Sequence, residues 1–294
     1  MAWIILFIGI ICSALLTNIF KLFEKFNVTT PVAIVFNYIT ASTLSFVFAN
    51  ELPNFSKLMN YPWVWAAIFL GFLFVSLFNL MAIISQKIGI AQANVANKTT
   101  FIFPAIMGMF FYSENINAVK IIGFLVALIA VWYTAREKGK PAMEKHSNFL
   151  LILVLFVGGG MIDIVLSIAN HDLNLKGHEP LFTAYAFGVA GISGSIYLIY
   201  KLMLKKIIVQ KKDIIGGLAL GVPNFFSIFM FLRALTYQGM ESSVVFTVAN
   251  LGIIVVATLM GAWFFKEKIT KDKFISIAFA ILSILLVSMS DFEF

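Results

Sequence analysis

Lys98 interrupts one of the apolar runs of this sequence. It lies about seven residues into the segment 91–112, which corresponds to roughly 10 Å along a helix axis. An ammonium group at that depth in lipid is unfavourable unless it is paired or solvated. Because Asn94, Asn97 and Phe101 share a helical face with Lys98, the pattern predicts a partly polar face turned towards a cavity.

The chemistry available to such a lysine is the binding of a negatively charged group. An ammonium in surroundings of low dielectric attracts a carboxylate or a phosphate strongly. We therefore predict that Lys98, Asn94, Asn97, Phe101 and Asn250 form a site for an anionic or zwitterionic substrate. One alternative is that the Lys98 side chain extends to the membrane interface. Another is that Asn97 and Asn250 only join helices by hydrogen bonds.

Asp163 is a second charge inside an apolar run. It follows the glycines at 158–160, and small residues of this kind allow helices to approach closely. We predict that it serves as a counter-ion, a proton carrier or a substrate ligand. A structural ion pair with Lys98 is the alternative, although helix rise separates the two residues by about 10 Å in depth.

The composition predicts a membrane protein. Of the 294 residues, 61% are hydrophobic and 12% are charged, whereas soluble domains carry roughly 25% charged residues. Apolar runs of near-spanning length predict ten transmembrane helices and an all-α fold, because membrane strands would alternate in polarity. The runs cover residues 2–22, 30–50, 62–85, 91–112, 117–135, 148–169, 180–203, 213–236, 241–265 and 272–290.

An internal repeat divides the chain. At an offset of 153 residues, the segment 95–97 (Val-Ala-Asn) matches 248–250, and Glu114 matches Glu267 in the same register. This predicts a first five-helix repeat at 1–136, a connecting loop at 137–147 and a second five-helix repeat at 148–294. Because five is an odd number of crossings, the second repeat enters the membrane in the opposite orientation, so the repeats are inverted.

Charge placement predicts the orientation of the chain. Most of the 21 basic residues lie in the loops after the first, third, fifth, seventh and ninth runs. By the positive-inside rule, both termini should then face outward. We expect a multi-pass protein of the cytoplasmic membrane of a prokaryote, and we interpret the net charge of +7 as a topology signal, with no nucleic acid as partner.

The ends of the fourth and ninth runs carry a shared signature. Residues 107–114 read Met-Gly-Met-Phe-Phe-Tyr-Ser-Glu, and residues 260–267 read Met-Gly-Ala-Trp-Phe-Phe-Lys-Glu. These segments resemble the EamA-type members of the drug/metabolite transporter superfamily, with Ser113 and Lys266 where that family usually has glycine. The resemblance implies ten helices in two inverted repeats, a central cavity between the repeats and transport by alternating access.

Two sequence segments are similar to sites found in enzymes and metal-binding proteins. The Gly-Ile-Ser-Gly segment around Ser193 looks like an intramembrane protease motif, but all three histidines precede it in predicted loops, so no later helix supplies a base. The acidic and histidine residues of 171–179 lack a regular spacing of metal ligands. A passive pore and a membrane subunit without transport activity remain alternatives.

The sequence thus predicts a secondary transporter, either a uniporter or a proton-coupled carrier, for a small polar metabolite such as an amino acid. Its partners would be that small-molecule substrate, membrane lipid and, for coupling, protons. We expect no enzymatic activity, no catalytic residues, no metal and no cofactor.

Overall fold

A computed structural model describes residues 2–87, 96–114, 117–135, 147–205, 207–237, 241–266 and 269–289. These residues are helical apart from short connections and contain no strand, which confirms the all-α prediction. The principal helices are α1 (Ala2–Lys25), α2 (Thr30–Ala49), α3 (Val64–Lys87), α4 (Ile102–Phe111), α5 (Ala118–Ala135), α6 (Ser147–His171), α7 (Glu179–Met203), α8 (Lys211–Leu235), α9 (Ser242–Phe265) and α10 (Lys271–Met289). A helical turn at Phe55–Leu58 precedes α3, and a 3-10 turn at Thr99–Phe101 precedes α4.

The lengths of these helices match the thickness of a bilayer. Within the described part of the chain, eight helices are long and apolar enough to cross a membrane, namely α1, α2, α3 and α6 to α10. Helix α5 is apolar over the shorter stretch Ala118–Tyr133, and α4 has 10 residues. The protein is therefore an integral multi-pass membrane protein.

Helices α5 and α10 pack against each other as an antiparallel pair. The Ser283 hydroxyl donates to the Gly123 carbonyl at 2.7 Å, and the Ser276 hydroxyl donates to the Ala130 carbonyl at 2.8 Å. Residue numbers rise along α5 as they fall along α10, so the two helices run in opposite directions. These bonds satisfy both hydroxyls across the interface, as membrane interiors require.

Helices α2 and α7 form a second antiparallel pair. The Ser42 hydroxyl donates to the Ala184 carbonyl at 2.8 Å. Further along, a Cβ placed on Gly194 would lie 3.3 Å from the Val35 side chain. The contacts again progress in opposite directions along the two chains.

Two glycines allow the closest backbone contacts between helices. A Cβ on Gly217 of α8 would lie 2.6 Å from the Ala33 carbonyl oxygen of α2, and a Cβ on Gly71 of α3 would lie 2.6 Å from the Ala186 carbonyl oxygen of α7. Ala33 and Ala186 are separated by the repeat offset of 153 residues. The two contacts therefore meet matching positions on α2 and α7, although the glycines themselves are 146 residues apart (217 − 71).

The remaining packing brings helices from both ends of the chain together. Helix α1 packs on α8 and α9, and helix α6 packs on α3 and α4. Exchanging the first five helices for the last five converts one set of contacts into the other. Helices α1, α3, α6, α8 and α9, with the segment before α4, line a cavity.

We predict that Gly71→Ala and Gly217→Ala each reduce the free energy of unfolding by about 1–3 kcal/mol, because the new methyl group must displace backbone. The melting temperature of purified protein in detergent measures the effect. Gly191→Ala on α7 is the matched control, since the nearest atom to its Cβ would be 3.6 Å away and alanine favours helix. Equal melting temperatures for all three variants would contradict this account of the packing.

Candidate functional site

A cavity of about 180 Å³ lies between α1, α3, α6, α8, α9 and the segment that leads into α4. Pockets for drug-sized molecules usually exceed about 300 Å³, so this cavity suits a small metabolite. Its wall is mostly apolar and aromatic. Prominent members of that wall are Leu6, Ile10, Phe74, Phe78, Phe231 and Phe246.

Two opposite charges face this cavity. Lys98 and Asp163 both line it. Among the ion pairs of the described residues, none within 4.0 Å joins these two side chains. The two residues therefore share one cavity, although helix rise counted along the sequence predicts a difference of about 10 Å in their depths.

The position of Asp163 follows from the glycines before it. Gly159 lies one helical turn earlier on the same face of α6, and a Cβ there would be 2.8 Å from the Thr100 methyl group. The glycine lets α6 approach the segment before α4 closely. As a result, the Asp163 carboxylate interacts with the Thr100 side chain.

One oxygen of this carboxylate has no hydrogen-bond partner among the described residues. Oδ2 of Asp163 is buried and accepts no hydrogen bond from the described residues. A buried acceptor in this state loses its hydration without compensation, which costs about 1–3 kcal/mol or more for a charged group. A ligand that donates a hydrogen bond would remove that cost.

A 3-10 turn shapes the polar side of the cavity. Thr100 lies in this turn, and its hydroxyl donates to the Asn97 carbonyl at 2.9 Å. Asn97 and Thr100 both line the cavity. Phe101 lies on another side of the turn, fully buried, with its ring centroid 6.5 Å from that of Phe124.

The structure therefore places the predicted site residues as follows. Asn97, Lys98, Asp163 and Asn250 line one cavity. Phe101 does not, because its side chain is buried in the core on another side of the turn, beside the Phe124 ring. Asn94 lies outside the described residues.

Asn250 contributes a carboxamide from α9. Its Nδ2 donates to the Phe246 carbonyl at 3.1 Å, which is a bond within its own helix. This hydrogen bond therefore does not join α9 to another helix.

Sequence reasoning did not find Ser13, Thr100 and Ser227, which also line the cavity. All three are polar residues inside apolar runs of the sequence, and that is the signal that could have found them. The hydroxyl of Ser227 donates to the Asn224 carbonyl at 2.8 Å. Serine and threonine commonly make such local bonds in membrane helices. A polar residue in an apolar run is therefore a weak indication of a binding site unless a cavity is known.

Four residues hold the N-terminus of α9, and we name them the α9 clamp: Glu114, Lys120, Glu241 and Ser243. The Glu114 carboxylate accepts hydrogen bonds from the Ser243 backbone N–H at 3.3 Å and from the Ser243 hydroxyl. Lys120 forms ion pairs with Glu114 at 3.5 Å and with Glu241. Because α9 has no side-chain cap of its own, Glu114 caps it from the other half of the chain.

The turn after α4 positions Glu114. The backbone N–H of Glu114 donates to the Gly108 carbonyl at 3.1 Å, and a Cβ on Gly108 would collide with the Glu114 carboxyl group. Ser113 adopts a φ of 51°, and Lys266 adopts 54° at the corresponding position after α9. This left-handed conformation explains why glycine suits both positions.

We predict that Ser113→Gly raises the free energy of unfolding by about 1 kcal/mol, because a residue with a Cβ is strained at positive φ. The melting temperature in detergent should rise. Ser195→Gly, within α7, is the control and should lower stability, since its backbone is already helical. A fall in melting temperature for Ser113→Gly would contradict the strain argument.

The residues weighed for enzymatic and metal chemistry have structural partners. The Ser193 hydroxyl donates to the Val189 carbonyl at 2.7 Å within its own helix. The His171 ring is hydrogen-bonded to the Ser242 hydroxyl at 2.7 Å. Over the described ranges, histidine, cysteine and acidic residues form no group of three that could hold a metal ion.

Comparisons with known proteins agree with a membrane transporter. The sequence profile of the EamA-like transporter family matches residues 146–289. A Haemophilus influenzae (strain ATCC 51907 / DSM 11121 / KW20 / Rd) protein described as "Uncharacterized protein" is 30% identical over 287 residues, which cover 95% of each chain. A crystal structure described only as that of a protein has a TM-score of 0.77 at 12% identity, over 98% of this chain and 96% of the other. At that identity the likeness shows the fold alone.

Proposed function

The chain belongs to the EamA-like transporter family, and on this premise we propose that this membrane transporter of small molecules is a secondary transporter for a small zwitterion such as an amino acid. The observation that carries the proposal is the placement of Lys98 and Asp163 on one small cavity. Alternating access would expose that cavity to each side of the membrane in turn.

The two charges suggest how the substrate is held. The Lys98 ammonium would bind the substrate carboxylate. The unpartnered Oδ2 of Asp163 would accept a hydrogen bond from the substrate ammonium, while the aromatic wall receives an apolar side chain. Both interactions are strengthened by the low dielectric of the surroundings.

A zwitterion fits this pair better than a simple anion. An anion would gain from Lys98 but would be repelled by Asp163, unless that carboxylate took up a proton. Such a proton would make transport proton-coupled, so Asp163 is also the proposed coupling residue. A purely structural pairing of the two charges is the competing account.

The scaffold itself does not need either charge. At the repeat offset, Leu251 corresponds to Lys98 and Ile10 corresponds to Asp163. Ile10 lines the same cavity from α1. Since an apolar residue serves in the equivalent place, the charges favour a substrate role over a packing role.

We further propose the architecture of ten spans in two inverted five-helix repeats. The antiparallel packing of α2 on α7 and of α5 on α10 supports this architecture. In each pair, one helix occupies the same place in the first repeat as the other occupies in the second. The contacts of α3 with Ala186 and of α8 with Ala33, at positions 153 residues apart, support it as well. From the loop charges we expect both termini to face outward from the cytoplasmic membrane of a prokaryote.

The α9 clamp is the proposed gate on one side of the cavity. It ties the connection between α4 and α5, in the first half, to the first turn of α9, in the second half. Phe246, about one helical turn further along α9, already lines the cavity. Separation of the halves on that side would have to break these ion pairs and hydrogen bonds.

We predict that a zwitterionic amino acid raises the melting temperature of the wild-type protein and has little effect on Lys98→Ala or Asp163→Asn. A ligand that binds only the folded state stabilises it by mass action, by about 2.7 kcal/mol at one hundred times Kd. The measurement is a thermal-shift screen of amino acids, organic acids, sugars and sugar phosphates. Lys57→Ala, exposed at the loop before α3, is the control and should respond like wild type.

If the same compound protects the wild type and both site variants equally, the site assignment is wrong, while the transporter class stands. Uptake of the identified compound into proteoliposomes then separates a carrier from a pore. A carrier saturates with substrate and shows counterflow, and a pore does neither.

We predict that Glu114→Gln opens the cavity from the side of the α9 N-terminus. In a Cys12→Ala background, a cysteine introduced by Asn250→Cys should react several-fold faster with a membrane-impermeant thiol reagent applied to that side, in intact cells or in inverted vesicles. Glu51→Gln, an exposed change of the same charge at the end of α2, should not alter the rate. Unchanged labelling in Glu114→Gln and in Lys120→Gln would overturn the gate.

A further inference from the structure

The connection between α7 and α8 begins with a turn at Leu202–Lys205. The backbone N–H of Lys205 donates to the Leu202 carbonyl at 2.9 Å, and Lys205 adopts a φ of 53°. Ile207 then packs against Val32, Val35 and Leu198 between α2 and α7. One side of the connection is thus anchored in the helix bundle.

The other side of this connection carries exposed apolar side chains. Met203 is 78% exposed and Ile208 is 75% exposed. Tyr197 and Tyr200, on the last turns of α7, are also exposed. Aromatic residues at helix ends typically lie at the level of the lipid headgroups, so this end of the protein meets the membrane interface.

Lysines alternate with those apolar residues. Lys201, Lys205, Lys211 and Lys212 fall within the same connection and its flanking turns. The Lys201 ammonium lies 5.4 Å from the centre of the Tyr197 ring. The surface therefore presents cationic groups beside exposed apolar groups.

The carboxylate of Asp213, which follows these lysines in the sequence, forms no ion pair with them among the described residues. Asp213 is fully buried, and it accepts hydrogen bonds from the backbone N–H of Thr29 at 2.7 Å and of Gln210 at 2.9 Å. Its role is to cap α8 and to join that helix to the start of α2. Its oxygens are thus engaged inside the fold.

The neighbouring end of α1 does not neutralise the surface either. Glu24 is exposed there, with Lys21 and Lys25 on either side in the sequence. The charge of this end of the protein therefore remains positive across the adjoining elements.

We propose that this surface, formed by Lys201, Met203, Lys205, Ile208, Lys211 and Lys212, binds the headgroups of anionic phospholipids. The apolar side chains enter the acyl region, and the lysine stems extend along them to place the ammonium groups beside lipid phosphates. Each lysine near an anionic membrane surface strengthens binding roughly fivefold.

A soluble anionic partner fits these observations less well. Binding of free phosphate or a nucleotide would not explain why Met203 and Ile208 are exposed. Such ligands are usually held by backbone N–H groups that converge on one point. The lysines here are instead spread along a connection that borders the bilayer. Lipid satisfies both the charge and the apolar surface at once.

The test is a titration of the purified full-length protein in uncharged detergent, with native mass spectrometry counting bound lipid. The ligands are phosphatidylglycerol and phosphatidylcholine with identical acyl chains, and inorganic phosphate forms a third arm. We expect retention of phosphatidylglycerol over phosphatidylcholine. The combined variant Lys205→Gln, Lys211→Gln and Lys212→Gln should weaken that retention by more than about tenfold.

The matched control removes the same charge at the other end of the molecule, through Lys57→Gln, Lys176→Gln and Arg233→Gln, and should retain phosphatidylglycerol like wild type. Rising salt should weaken retention by the wild type, because ions screen exposed charges; this readout remains if the triple variant does not fold. Equal loss in both triple variants, equal binding of both lipids, or displacement by inorganic phosphate would overturn the proposal. Substrate is absent throughout, so the result is independent of the transport assignment.

Discussion

Helices in lipid gain little by burying apolar surface against one another, because acyl chains are as apolar as leucine side chains. Close van der Waals packing must hold them together instead, and here that packing depends on glycine. Gly71 and Gly217 bring α3 onto α7 and α8 onto α2. Gly159 brings α6 against Thr100 by the same means. Without these contacts the cavity walls would stand further apart, and Asp163 would not reach the polar segment before α4.

A scaffold with matching contacts in its two halves carries a site that does not match. Asn97 and Asn250 line the cavity from equivalent places, but Lys98 and Asp163 correspond to leucine and isoleucine. The departure from the repeat therefore coincides with the charges. This is the arrangement expected when packing constrains the helices and a ligand constrains only a few side chains.

The entry into α4 and the start of α9 show how irregular backbone serves such a site. The 3-10 turn at Thr99–Phe101 breaks the regular helix next to Lys98 and groups Asn97 with Thr100. At the start of α9, an unpaired helix end is capped by Glu114 from the other half. In both places a side chain forms the hydrogen bond that a continuous helix would supply to the backbone. The Thr100 hydroxyl donates to the Asn97 carbonyl, and the Glu114 carboxylate accepts from the Ser243 N–H.

Hydropathy and charge are properties of short segments. The sequence alone therefore determined the all-helical membrane class, the eight spans that the described helices match, the internal match around Asn97 and Asn250, and the resemblance to the transporter family. It also indicated Lys98 and Asp163, because a charge in an apolar run is visible without a fold. Only the tertiary structure decided that these two charges share a cavity, since their relative depth depends on how α6 packs against the segment before α4. Phe101 lies in the core beside Phe124 and not on the cavity wall, because a helical period in the sequence does not show which side chains a ring will pack against. The α9 clamp was invisible for a related reason: its members are up to 129 residues apart, and only packing of the two halves brings them together.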